Sequence, residues 1–274
     1  MKLSIRHKIL YLTKYSNFKI TANPILKAIL KKFIIDFFKG ERFKTIEGVL
    51  INIIVTRQFE DTFNSLRGSE KEVPHGELDY KAIVILPNDS KSNKFNILIR
   101  EDVFTIDLEY YSTLIHEFTH IIDYTEFFKR YGNLHIQNND IKISNYYYEF
   151  YLWTEFNAKR NGIENLMKIY SILRKEIDLK GTADNLICDL KVEKRELNRH
   201  YELMHFLARI SVFEKRKKLT EEEFPIDFIV ENVNSRSREL FEKLKSIKSF
   251  DDFDSNKSEI RQLLDLKKQE NYDC

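Results

Sequence analysis

Apolar residues near the start of the chain recur at three- and four-residue intervals. Ile25, Leu26, Ile29, Leu30, Phe33, Ile34, Phe37 and Phe38 share one stripe, which is the spacing of an amphipathic helix. Asn23 and Pro24 stand where a helix takes its cap and first residue, and Gly40 follows where one ends. Lysines flank the stripe, so a membrane-surface helix also fits the pattern. Burial against a core is the expected use. Three runs rich in β-branched residues come next: Ile46 to Thr56, Lys81 to Leu86 and Phe95 to Arg100. They predict strands, and the turn-forming stretch Pro87 to Asn93 predicts that the second and third form a hairpin.

From Asp107 onward the apolar period lengthens to that of a helix. The pattern predicts a helix over Leu108 to Lys129, a polar loop through Asn145, and a second helix from Tyr146 to Arg160 stopped by Asn161-Gly162. Helices are then expected over Ile163 to Leu179, Leu186 to Lys217, Phe228 to Lys248 and Ser258 to Lys268, with charges alternating in sign around apolar stripes. A small mixed sheet, two central helices and a largely helical C-terminal half make an α+β chain. Three regions are expected: an N-terminal helical segment, 1–44, packing on the sheet; a core, 45–162; and a helical region, 163–274.

Composition narrows the chemistry. Lys+Arg number 45 against Asp+Glu 43, a net charge of +2 over 274 residues. That balance supplies no electrostatic reason to expect nucleic acid or an anionic membrane as partner. A basic run at Lys215 to Lys218 is offset by Glu221, Glu222 and Glu223. Seven glycines, no two closer than eight residues, exclude GxGxxG, GxxxxGK[ST] and GxSxG. Cys188 and Cys274 are too few for a metal knuckle or a disulfide framework. The N-terminal stretch has no unbroken apolar segment with a small-residue cleavage site, and no run approaches a membrane span. A cytoplasmic protein is the expectation.

One segment stands apart, Ser112-Thr-Leu-Ile-His116-Glu117-Phe-Thr-His120-Ile-Ile-Asp123-Tyr124. His116 and His120 lie one helical turn apart on one face. Two imidazoles so placed can share a tetrahedral metal, and Glu117 beside the first can take a proton from water bound there. The flanks are uncharged, which predicts a buried helix, and buried imidazoles and carboxylates need a partner.

TLIHEFTHII resembles the extended signature of the zincin metallopeptidases, in which an HExxH helix follows a small mixed sheet. In that resemblance Phe95 to Arg100 looks like the edge strand along which a substrate peptide lies. A third protein ligand is needed. Asp123 is seven residues from His116, roughly 10 Å along a helix axis, and the segment after His120 has no glycine to break the helix as in metzincins. The best candidate is Glu155, within Trp153-Thr-Glu155-Phe-Asn-Ala158, whose turn neighbours are largely apolar. Glu149 is its competitor on the same helix. Two histidines from one helix and a glutamate from a later one is the gluzincin arrangement. The pair of segments also resembles small intracellular zincin-like proteins of phages and mobile elements. The resemblance covers residues 45–162 and implies Zn²⁺, with Co²⁺, Mn²⁺ or Fe²⁺ also suited to the donors. Thermolysin-like enzymes carry an Asp four residues after the glutamate ligand; Lys159 stands there instead.

What the resemblance implies is a zinc-dependent metallopeptidase. His116, His120 and Glu155 bind the metal, Glu117 is the general base, and a peptide or protein is the substrate. Asp123 either accepts a hydrogen bond from a histidine ring or is an ordinary surface acid. Donors for the tetrahedral oxyanion include Tyr124, His135 and Tyr148, with Tyr146, Tyr147, His200 and His205 behind them. His200 and His205 sit in a charged stretch and read as surface or satisfied residues. The alternative is a metal-stabilised, weakly active or inactive zincin-like regulatory protein whose C-terminal helices bind a protein partner.

Overall fold

The computed structural model describes residues 14–67, 81–87, 93–102, 108–132, 146–173, 178–192, 196–216 and 218–264. By packing, the chain divides into two compact units, Met1–Ile141 and Lys142–Cys274. The fold is α+β: a four-stranded mixed sheet with helices in the first unit, and helices throughout the described residues of the second.

In the first unit β1 (Phe18–Thr21) leads to α1 (Pro24–Phe37), then α2 (Glu41–Thr45), β2 (Leu50–Thr56) and α3 (Phe59–Arg67). β3 (Ala82–Ile85), β4 (Lys94–Arg100) and α4 (Leu108–Tyr131) follow. The sheet order is β1-β2-β4-β3. β1, β2 and β4 run parallel, with Ile53 opposite both Ile20 and Ile97, and β3 pairs antiparallel to β4 with Val84 opposite Ile97. Asn23 caps α1 as its sequence suggests: the Oδ1 atom accepts from the Leu26 amide at 3.0 Å, and Pro24 opens the helix.

Helices cover both faces of this sheet. On one, Phe59 and Phe63 of α3 pack on Ile85 and Leu98. On the other, Phe95 stacks with Phe128 of α4, and Phe33, Phe37 and Phe38 surround Phe118 at centroid distances of 5.0–5.5 Å. The apolar stripe of α1 is therefore core from Leu30 onward, while Ile25 at its start is exposed. β4 is buried on both faces along Phe95 to Ile99, as a strand paired on both sides and covered on both faces must be. This corrects the reading of Phe95 to Arg100 as an edge strand. Among the described residues the edges are β1 and β3. β1 itself lies in what the apolar pattern treats as a polar start; four residues of alternating burial are too short a pattern to register.

The second unit holds α5 (Tyr147–Leu173), α6 (Leu179–Val192), α7 (Glu196–Glu214), α8 (Ile226–Asn232), α9 (Ser237–Ser246) and α10 (Phe250–Leu263). α5 runs straight through Asn161-Gly162, where the sequence predicts a stop. A single interior glycine costs only about 1 kcal/mol, and Leu166 is buried beyond it, so packing carries the helix on. The helix expected over Phe228 to Lys248 is two helices. Asn234 interrupts it by accepting the Arg236 amide on Oδ1 and donating to the Leu263 carbonyl. The one expected over Leu186 to Lys217 is likewise α6 and α7. Trp153 of α5 stacks on Phe253 of α10 at 4.8 Å, and Phe150 meets Phe250 and Phe253 edge-on. α5 and α7 run in the same direction side by side: Tyr148 meets His200, Tyr151 meets Tyr201, and Glu155 meets His205. None of the described helices is long and apolar enough to cross a membrane.

Candidate metal centre

α4 carries the HExxH segment, and its apolar positions occupy most of its circumference. Leu114, Phe118, Ile121 and Phe127 are fully buried, so the helix is enclosed as its uncharged flanks suggest. Within this apolar shell Glu117, His120 and Asp123 are buried and His116 is half-buried. The 3.6-residue period brings the two rings together edge to face, with centroids 4.5 Å apart and Nε2 atoms 2.9 Å apart. At that separation one ring donates to the other, or both lone pairs address one cation.

Glu155 lies in the most deeply buried stretch of α5, with Trp153, Thr154, Phe156 and Ala158 around it. One nitrogen from each of His116 and His120 and one carboxylate oxygen of Glu155 all lie within 4.8 Å of one another. Two imidazoles and a carboxylate are the donor set of a three-ligand zinc site. Tetrahedral zinc with bonds of about 2.0–2.2 Å holds its donors roughly 3.3 Å apart. The two imidazole nitrogens, 2.9 Å apart, stand a few tenths of an ångström inside that spacing, and two imidazoles with a carboxylate are donors that suit a divalent cation.

Glu149, the competing candidate on α5, is engaged elsewhere. It is 1% exposed and paired with Arg261 Nε of α10. Burial, partly offset by that guanidinium, raises its pKa above the ordinary carboxylate value.

The remaining candidates are placed as follows. Asp123 is buried and is not a surface acid. Tyr124 is buried in an aromatic row, its ring 6.3 Å from that of His120 and 5.7 Å from that of Phe128. The Tyr148 hydroxyl lies 3.2 Å from His200 Nδ1. Tyr146 is committed to α10, with its hydroxyl 3.1 Å from Ser258 Oγ and its ring beneath Arg261. His135 lies outside the described residues.

His205 departs most from its sequence reading. It is no surface residue: its side chain is 12% exposed, and Nε2 is 3.1 Å from Glu155 Oε2. Desolvation pushes its pKa down to about 4 against the opposing pull of Glu155. His200 is buried as well. The charged run Lys191 to Arg199 just upstream suggests a solvated helix, yet Leu203, Met204, Phe206 and Leu207 bracket His205 with apolar residues. That bracket is the signal from which its burial could have been read.

Among known proteins, no family model, no curated protein and no solved structure matches this chain.

Proposed function

We propose that the protein is a metal-dependent peptidase of the gluzincin type, with His116, His120 and Glu155 as ligands of a divalent cation, zinc being the best fit. The observation that carries this reading is the convergence of two imidazole nitrogens and one buried carboxylate within 4.8 Å, with Glu117 next in sequence to the first ligand. When bound, the cation supplies Lewis acidity toward a carbonyl and acidifies water. The chain's own residues supply the rest.

Glu117 is the general base. Its carboxylate accepts a proton from the attacking water and then passes that proton to the leaving amine. Its burial keeps bulk water from competing for the proton. Substrate recognition falls to β3, the outer strand beside α4, whose outer side has no partner strand among the described residues and can accept an extended peptide as an additional strand. Tyr148, whose hydroxyl meets His200, and Tyr124 are the candidate donors to an oxyanion. A small count of cysteines, two in 274 residues, agrees with action in the cytoplasm.

The second reading is a metal-stabilised regulatory protein. It is favoured by one observation: the Glu155 carboxylate is already engaged by a buried imidazole, His205, at 3.1 Å. Cleavage of an unstructured peptide library by the zinc-loaded wild type beside Glu117→Gln separates the two. The peptidase reading predicts that Glu117→Gln retains the metal and loses 10²- to 10⁴-fold in rate. Equal turnover by both proteins contradicts the base role. Retained metal with no turnover by the wild type favours the regulatory reading.

A further inference from the structure

A carboxylate that serves as a metal ligand has two oxygens and a rotatable end, and something must decide how it presents itself. Glu155 has that partner in its own unit. His205 Nε2 lies 3.1 Å from Glu155 Oε2, and an ionised carboxylate only accepts, so the ring donates its Nε2–H. Three cross-contacts fix the register of α5 and α7: the Tyr148 hydroxyl on His200 Nδ1, the Tyr151 ring stacked on Tyr201, and the Glu155–His205 bond. The Tyr201 ring, one turn before His205, packs on it with centroids 4.2 Å apart. Leu203, Met204, Phe206 and Leu207 are buried around it. The imidazole is thus held by packing and spends its donor on one atom. It lies outside the group of donors that lie within 4.8 Å of one another, which contains only His116, His120 and Glu155 among the described residues.

We propose that His205 is the positioning residue for Glu155: it holds one carboxylate oxygen so that the side chain ligates the cation through the other. The proposal rests on the reading of His116, His120 and Glu155 as ligands. It goes further by assigning a function to a helix outside the residues that resemble zincins. α7 then contributes to the metal centre through a hydrogen bond, and Glu155 is a one-oxygen ligand.

The test is a zinc titration against a chromophoric chelator, with the cobalt(II) absorption spectrum recorded in parallel. The full chain is used as wild type, His205→Ala, His205→Gln and Glu155→Ala, with melting of each metal-free protein as the folding control. A glutamine amide can place an N–H where Nε2 stands and donate the same bond. Expected are zinc affinity 10- to 100-fold weaker for His205→Ala, affinity within a few-fold of wild type for His205→Gln, and a wild-type cobalt spectrum for His205→Gln. Wild-type affinity in His205→Ala overturns the proposal, as does a His205→Gln protein that folds but binds as weakly as His205→Ala. An altered cobalt spectrum in His205→Gln also overturns it, because His205 would then be a ligand itself. Wild-type affinity in Glu155→Ala overturns the ligand assignment beneath it, a failure distinct from that of His205 alone.

Discussion

Glu149 and Glu155 sit six residues apart on one helix, and both are buried, yet their partners give them different properties. Arg261 pairs with Glu149, and burial still raises its pKa. The folded chain therefore holds that proton more tightly than the unfolded chain. Stability from this group is fully present below the ordinary carboxylate pKa and is lost as pH rises through the raised value. Glu149→Gln, which keeps an acceptor for Arg261 without the charge, is expected to flatten that part of the stability profile while leaving metal content unchanged. Urea unfolding across the acid range checks this, and an unchanged profile contradicts it. Glu155 instead meets His205. Its neighbours Trp153, Phe156 and Ala158 make its burial legible in the sequence. The His205 contact was not, because it depends on how α5 and α7 pair, and no local pattern encodes a helix-to-helix register.

At the scale of elements, legibility followed the strength of local signals. α1 is marked at its start by Asn23 and Pro24, and the structure begins it there. α4 is long and strongly apolar, and its predicted start at Leu108 holds. Breaks and continuations set by packing were not legible: α5 crosses Gly162, and Asn234 divides α8 from α9 through bonds to Arg236 and Leu263. Sheet order was the larger miss. Consecutive apolar residues such as Ile97, Leu98 and Ile99 signal burial on both faces, which belongs to a central strand, not an edge. α10 starts earlier than its apolar period suggests because Ser249 and Asp252 form a reciprocal cap. The bonds to backbone amides also lower the Asp252 pKa. Ser249→Ala is expected to cost about 1 kcal/mol, read as a lower denaturant midpoint with an unchanged slope. A midpoint equal to wild type would show that the cap contributes nothing.

For the whole molecule, the near-neutral charge balance and the absence of glycine-signalled nucleotide motifs leave the three-residue donor group as the most specific chemical feature among the described residues. A cation that binds only the folded chain stabilises it by mass action, about 2.7 kcal/mol at one hundred times its dissociation constant. Chelation is therefore expected to lower the melting temperature of the wild type and to leave Glu155→Ala unmoved. Equal shifts in both would place the metal elsewhere. The most direct measurement is metal content per chain on untagged protein, wild type beside Glu155→Ala. About one zinc per chain in the wild type, lost or much weakened in the variant, is the expected result for a site made by His116, His120 and Glu155. No metal in the wild type and no uptake on adding zinc, or equal zinc in both proteins, would contradict it.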